Sequence, residues 1–161
     1  MNEEERLIEF LKQSNAIEGE YSPLALRQAR YAWAYLITRS ELTPKVLLKT
    51  HKILMRGTSL PREHWGKFRT VAVMVGGRPV LPAEHVELAI QEWCREANNP
   101  ISAKKIIYDH IEYEKIHPFI DGNGRTGRLF INWARVKLGM GVMIIGEAKK
   151  HIYYKLFQPA L

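Results

Sequence analysis

Between His117 and Arg128 the chain reads His-Pro-Phe-Ile-Asp-Gly-Asn-Gly-Arg-Thr-Gly-Arg, and this run dictates the local architecture on both sides of it. Pro118 disfavours the right-handed helical region for His117, so a preceding helix must end at about the histidine. Gly122 and Gly124 permit backbone angles and close approaches that a side chain forbids, and they flank Asn123, which itself tolerates left-handed geometry. From Gly124 to Leu138 the pattern turns helical, with Leu129, Phe130, Trp133, Ala134 and Val136 as apolar positions and Gly139 as a stop. The expected local structure is helix, tight loop, helix.

The loop residues also carry chemistry. Gly122, Asn123 and Gly124 can turn successive backbone N–H groups into one concavity, an anion-binding nest. The helix that follows presents unpaired N–H groups and the positive end of its dipole. Arg125 and Arg128, three apart, project from its first turn and oppose that dipole, a conflict that a bound polyanion resolves. Asp121 would be repelled by phosphates unless a cation lay between, and Mg²⁺ suits one carboxylate with phosphate oxygens and waters. His117, at the lip of the nest, can accept a hydroxyl proton near neutral pH. Phe119 is expected to be buried as an anchor for the loop. Singly, a His-Pro is usually a helix stop, a Gly-Asn-Gly a turn and an Arg-x-x-Arg a solvated helix face. Together and in order, they read as a polyphosphate site.

The rest of the chain is persistently helical. Ser22-Pro23 and Thr43-Pro44 look like caps with proline at the first helical position, leading into Leu26, Ala29, Trp33 and Leu36 and into Val46, Leu47, Thr50 and Leu54. Val86, Ile90, Trp93 and Ala97 form a stripe, and Ile106, Ile107 and Ile111 mark a helix from Ala103 to about Ile116 that delivers His117. His110, two turns earlier, invites a metal or dyad reading together with Glu114. A packed histidine is preferred, and His51 is read as structural. Val73-Met74-Val75, Gly76-Gly77 and Arg78-Pro79-Val80 make a hairpin with a two-glycine turn.

At 161 residues the chain fits one domain. It shows no run of about 20 apolar residues, and its start, Asn2-Glu3-Glu4-Glu5, is no secretory signal. A lone Cys94 speaks against a disulfide scaffold and fits a reducing, cytoplasmic setting. The net charge of +7 raises nucleic acid as a partner. Yet residues 1–20 hold six acidic and two basic side chains, and no basic groove-reading helix stands out, so nucleic acid is not expected. The acidic first helix is instead expected to lie against a basic body. On a helix, positions 7, 11, 14 and 18 fall within an arc of about 60°. Glu18 therefore shares the inward face of Leu7, Leu11 and Ser14, where a carboxylate needs a cation or donor. The plainer alternative makes Glu18 an ordinary helix-end residue with Gly19 closing the helix.

The run from His117 to Arg128 resembles the signature of the Fic family, His-x-Phe-x-Asp/Glu-Gly-Asn-Gly-Arg-x-x-Arg, at every specified position. Ser14-Asn15-Ala16-Ile17-Glu18-Gly19 resembles that family's inhibitory motif. The resemblance implies an all-α fold, a compact helical bundle with a small β-hairpin flap. A single domain over 1–161 would include an N-terminal inhibitory helix at about 2–18 and the flap at about 71–81. It further implies a protein adenylyltransferase moving AMP from ATP to a Ser, Thr or Tyr hydroxyl of a target protein. His117 would be the general base and Asp121 the ligand of Mg²⁺. Gly122, Asn123 and Gly124 would cradle phosphates, with Arg125 on the β- and Arg128 on the γ-phosphate. Glu18, with Ser14, would draw Arg128 away and so inhibit. Val73, Met74, Val75, Gly76 and Gly77 would dock the target segment, although a hairpin that merely covers the core reads nearly as well from these residues. Tyr154 would lie by the adenosine. Many relatives continue past the position of Leu161 with a helix that completes the nucleotide pocket, so phosphate binding is implied more directly than adenine selection.

Two other functions are compatible with the residues. Some relatives use the inhibitory glutamate to position a water that releases AMP from a modified protein. A non-catalytic phosphate- or nucleic-acid-binding module would also keep an anion nest, but it would have no use for an intact His117 and Asp121. Relatives often form dimers that tune inhibition, which adds a homodimer to the expected partners.

Overall fold

The computed structural model describes residues 1–158; the last three residues of the expected domain, 159–161, lie outside the described residues. The fold is mostly helical, with α1 (Glu3–Ile17), α2 (Pro23–Leu36), α3 (Pro44–Met55), α4 (Val86–Ala97), α5 (Ala103–Ile116), α6 (Asn123–Lys137) and a short α7 (Lys150–Tyr154). Two strands, β1 (Met74–Val75) and β2 (Arg78–Pro79), form an antiparallel hairpin between α3 and α4, with Met74 opposite Pro79 and Val75 opposite Arg78.

Local chemistry sets the helix starts. Ser22, Thr43 and Ser102 each accept a hydrogen bond from the backbone N–H three residues on, and prolines occupy the first turns of α2 and α3. α1 opens with a reciprocal cap, in which Asn2 Oδ1 accepts from Glu5 N and Glu5 Oε2 from Asn2 N. Its three leading glutamates suit the positive end of the helix dipole. At the hairpin tip both Gly76 (φ 56°) and Gly77 (φ 76°) are left-handed, as a two-residue turn that follows the strand twist requires.

α6 is the central element and lies against α1, α3 and α5. From Arg125 to Ala134 every residue of it is buried, Arg125 and Arg128 included. Phe10 and Leu11 of α1, Trp33 of α2, Leu47 and Met55 of α3, Ile90 and Trp93 of α4 and Tyr113 of α5 close the core around Leu129, Phe130 and Trp133. Trp93 packs on Tyr113 and Phe130 with ring centroids 4.9 and 5.8 Å apart. The segment after α6 is tied back by Asn132, whose amide donates to Met143 O and accepts from Met143 N. α1 is then tied to that segment, since Arg6 donates to Val142 O and Gln13 Oε1 accepts from Glu147 N. No helix among the described residues is long and apolar enough to cross a membrane. Cys94 is a buried thiol, pushed up to about 12 by burial, and serves as core.

Candidate active site

His117 ends α5 in the left-handed region (φ 50°, ψ 63°), the one positive φ at a non-glycine residue among those described. Such a conformation costs on the order of 1–3 kcal/mol and persists where its surroundings enforce it. Two neighbours do so. Pro118 excludes the right-handed helix. Arg69, 3% exposed, donates Nε to His117 O at 2.6 Å and Nη2 to Ile116 O at 3.1 Å. A cation on the last carbonyls of a helix also meets the negative end of its dipole. The same guanidinium donates to Val71 O and Leu81 O, the two ends of the flap segment. Nothing local in the sequence marks Arg69 for this role, because three of its four carbonyl partners lie 12 to 48 residues away.

The loop from Phe119 to Gly122 rests on His51. Gly66 N donates to His51 Nδ1 at 2.9 Å, so Nε2 bears the proton and donates to Asp121 O at 2.8 Å. Burial lowers the His51 pKa to about 4, so the ring is neutral at physiological pH. It stacks on Phe119, with centroids 3.8 Å apart, and Phe119 is fully buried. Asn123 closes the turn, its amide accepting from Phe119 N and donating to Phe119 O, both at 2.8 Å. Its side chain is thereby committed to the loop, and what it can offer an anion is its backbone N–H.

Gly122 (φ 88°) precedes α6, and a Cβ there would lie 2.8 Å from Met55 Sδ. No side chain among the described residues caps this helix end, so its leading N–H groups keep their capacity for an anion. Arg125 stands beside them, with Nη2 3.4 Å from Asp121 Oδ2 and its Nε buried without a partner. Asp121 Oδ1 accepts from Gly122 N at 2.8 Å while the side chain stays 53% exposed. No cluster of three metal-ligating side chains occurs among the described residues. One exposed carboxylate beside an anion nest fits a Mg²⁺ that arrives with a polyphosphate, since Mg²⁺ is usually bound by one or two carboxylates and otherwise by phosphates and waters.

Arg128, 1% exposed, is fully engaged. Its Nε donates to Ser14 Oγ at 2.8 Å, and Nη2 donates to Ser14 O at 2.9 Å and to Glu18 Oε1 at 2.7 Å. Ser14 and Glu18 thus do meet the cation that their helix face requires. Glu18 reaches it across Gly124, where any Cβ would collide with the carboxylate. Burial alone would lower the Arg128 pKa, but Tyr153 and Glu18 outweigh it and hold the guanidinium charged.

Glu114 lies within this cluster. Its Oε2 is 3.8 Å from His117 Nδ1, and its Oε1 and that Nδ1 are both buried without hydrogen bonds. Burial pushes the Glu114 carboxyl up to about 7. His117 is lowered from 6.5, first by burial and then by Arg69, which keeps it neutral and able to accept a proton. With Nδ1 enclosed, Nε2 is the nitrogen left to meet a hydroxyl.

These loops and helix ends bring His117, Asp121, Gly122, Asn123, Gly124, Arg125, Arg128, Ser14 and Glu18 into one region around the start of α6. A sequence model of the Fic/DOC family matches residues 41–134. The chain belongs to that family. It is 33% identical over 136 residues to "Protein adenylyltransferase Fic" of Drosophila persimilis, a match covering 81% of this chain and 26% of the relative. The protein of the same name in Drosophila erecta is 34% identical over 139 residues, covering 81% and 27%. The chain spans about a quarter of the length of these relatives. Its fold superposes with TM-score 0.80 on a Fic domain containing signaling protein from Bacteroides thetaiotaomicron, at 18% identity, covering 96% of this chain and 72% of that one. Fic-1 of C. elegans (residues 134–508) also gives 0.80, at 21% identity, covering 94% and 54%.

The remaining expected residues sit at the margins. Met74 and Val75 are 63% and 41% exposed, so the hairpin stands in solvent and its strands do not cover the core. Val73 is half-buried beside them. Tyr154 is 41% exposed, its hydroxyl pKa raised by partial burial and then by Glu18. Its neighbour Tyr153 is the buried tyrosine of the site. The doublet was visible in the sequence, but which ring turns inward depends on the phase of a five-residue helix.

Proposed function

We propose that this Fic-family chain is a protein adenylyltransferase that transfers AMP from ATP to a Ser, Thr or Tyr hydroxyl of a target protein, restrained by Glu18 on Arg128. The observation that carries the reading is the Arg128–Glu18 pair, which occupies a buried guanidinium next to an uncapped helix N-terminus and a neutral imidazole. The target hydroxyl gives its proton to His117 Nε2 as its oxygen bonds to the α-phosphorus, and the bond to the bridging oxygen of pyrophosphate breaks. The leading N–H groups of α6 and Arg125 hold the charge gathering on pyrophosphate, with Arg128 joining once Glu18 withdraws. Asp121, together with phosphate oxygens, would hold Mg²⁺, which would supply further neutralisation of the polyphosphate. The exposed strands of the hairpin offer backbone groups to an extended target segment.

Intact-mass measurement after incubation with ATP and Mg²⁺, with a lysate as target source, tests this. Glu18→Gly should gain one AMP group on itself or transfer it to a lysate protein more than tenfold faster than the parent. His117→Ala in that background should be silent. Binding of the nucleotide by Glu18→Gly without transfer would refute the reading in favour of a non-catalytic module, whose binding would be indifferent to His117→Ala, and failure to bind it at all would refute the reading outright. One observation favours a second activity at the same site. The Glu18 side chain remains 31% exposed while bound to Arg128, leaving it able to orient a water that releases AMP from a modified protein. In that case AMP release should be lost in Glu18→Gly.

A further inference from the structure

The side of Arg128 away from α1 is held by Tyr153, the first tyrosine of the Tyr153-Tyr154 pair. Its hydroxyl lies 3.2 Å from Arg128 Nη1 and 2.7 Å from His110 Nε2, and the residue is 5% exposed. The guanidinium carbon lies 5.4 Å from the centre of the Tyr153 ring, which stacks on His110 with centroids 5.8 Å apart. The α1 contacts use Nε and Nη2, whereas Tyr153 takes Nη1. Two different elements thus hold two different edges of one cation.

Donor and acceptor inventories fix the direction of this chain. A guanidinium only donates, so the Tyr153 oxygen accepts from Arg128. The single proton of the hydroxyl then goes to His110 Nε2, which must be the bare nitrogen, and the imidazole carries its own proton on Nδ1. Burial, reinforced by Arg128, lowers the His110 pKa to about 3, so the ring stays a neutral acceptor. Burial likewise raises Tyr153, which keeps it protonated. His110 reaches this position because residue 127 is glycine, where a Cβ would lie 2.8 Å from His110 Cε1.

We infer that Tyr153 and His110 are positioning residues that keep Arg128 aimed at the polyphosphate when Glu18 leaves. The inference rests on the reading of Arg128 as a phosphate ligand. With Glu18 gone, Ser14 alone would hold the Nε and Nη2 edge, and without Tyr153 Nη1 would be idle. The hydroxyl that remains bonded to it holds the fork in one orientation, so a triphosphate meets a preset partner.

The test uses the full chain carrying Glu18→Gly, with and without Tyr153→Phe, which removes one oxygen and keeps the ring. Affinity for a non-hydrolysable ATP analogue should fall about tenfold, a loss in keeping with one charge-assisted hydrogen bond. KM for ATP should rise by a similar factor while kcat stays within about twofold, and AMP, lacking the terminal phosphates, should bind equally to both proteins. His110→Leu should reproduce the effect, and His110→Gln, which restores an acceptor, should recover part of it. In nitrogen-15 spectra of the Glu18→Gly protein alone, His110 Nε2 should appear unprotonated between about pH 5 and 8. That measurement stands even if Tyr153→Phe fails to fold. Unchanged analogue affinity in a folded Tyr153→Phe protein, or a proton on His110 Nε2, would overturn the inference while leaving the transferase reading intact. No analogue binding by Glu18→Gly itself would remove the transferase reading and this inference with it.

Discussion

Arg69 shows how much one side chain can organise. Its guanidinium serves the last turn of α5 and both ends of the flap segment, and its backbone N–H donates to Pro118 O. Lysine would keep the charge but lacks the planar fork, so two or more of these carbonyls would be left unpaired, at about 1–3 kcal/mol each. Arg69→Lys should therefore lower stability by roughly 2–4 kcal/mol in urea unfolding, and flap amides should exchange faster with solvent. Stability within about 0.5 kcal/mol of the parent would show that the fork is dispensable. Beside it, His117 depends on the same clamp for its left-handed backbone. Because burial and Arg69 lower its pKa, the transfer rate of the Glu18→Gly protein should rise with pH to a plateau whose midpoint lies below 6.5.

At the level of elements, the hairpin stands apart from the core, with Met74 and Val75 exposed, whereas α1 is packed into it through Phe10 and Leu11. The hairpin needs left-handed residues at both tip positions. Gly76→Val with Gly77→Val should unfold it locally, at about 1–2 kcal/mol per residue. Nucleotide affinity of the Glu18→Gly background should be unchanged while transfer to a protein target falls several-fold. A parallel loss of nucleotide affinity would mean that the flap shapes the nucleotide site itself. Most helices were legible because their signals are local: Ser-Pro and Thr-Pro caps, apolar stripes, and a His-Pro stop that ended α5 at Ile116 as expected. The loop between α5 and α6 was legible as a turn, and Phe119 as its anchor. What could not be read was the support beneath it. His51, Arg69, Glu114 and Tyr153 act through partners between 2 and 70 residues away, and their type alone does not distinguish them from ordinary core or surface positions. Glu18 was legible in part, since helical phase put it on the inward face, but the identity of its cation is a tertiary fact.

Across the whole molecule, three buried titratable groups give stability opposing pH dependences. Glu114 is raised from 4.5 to about 7 by burial, so in that window the folded chain keeps a proton that the unfolded chain has lost. Its contribution therefore falls as pH rises. His51 and His110 are lowered from 6.5 to about 4 and about 3. There the unfolded chain binds the extra protons, and stability rises with pH up to about 6.5. Glu114→Gln deletes only the falling component. Its stability advantage over the parent should grow by on the order of 3 kcal/mol between about pH 4.5 and 8, read from urea midpoints at the two pH values. An advantage equal at both would show that Glu114 titrates in the folded chain as it does in the unfolded one.

Arg128 has its Nε and Nη2 edge turned to α1, and on the proposed reading this is the edge that a phosphate would seek. Competition for it would then be symmetrical: whatever factor the seated glutamate took from nucleotide affinity, saturating nucleotide would take from the seating of α1. Ligand concentration would therefore itself be a lever on the first helix, with a strength measurable from either end of the cycle.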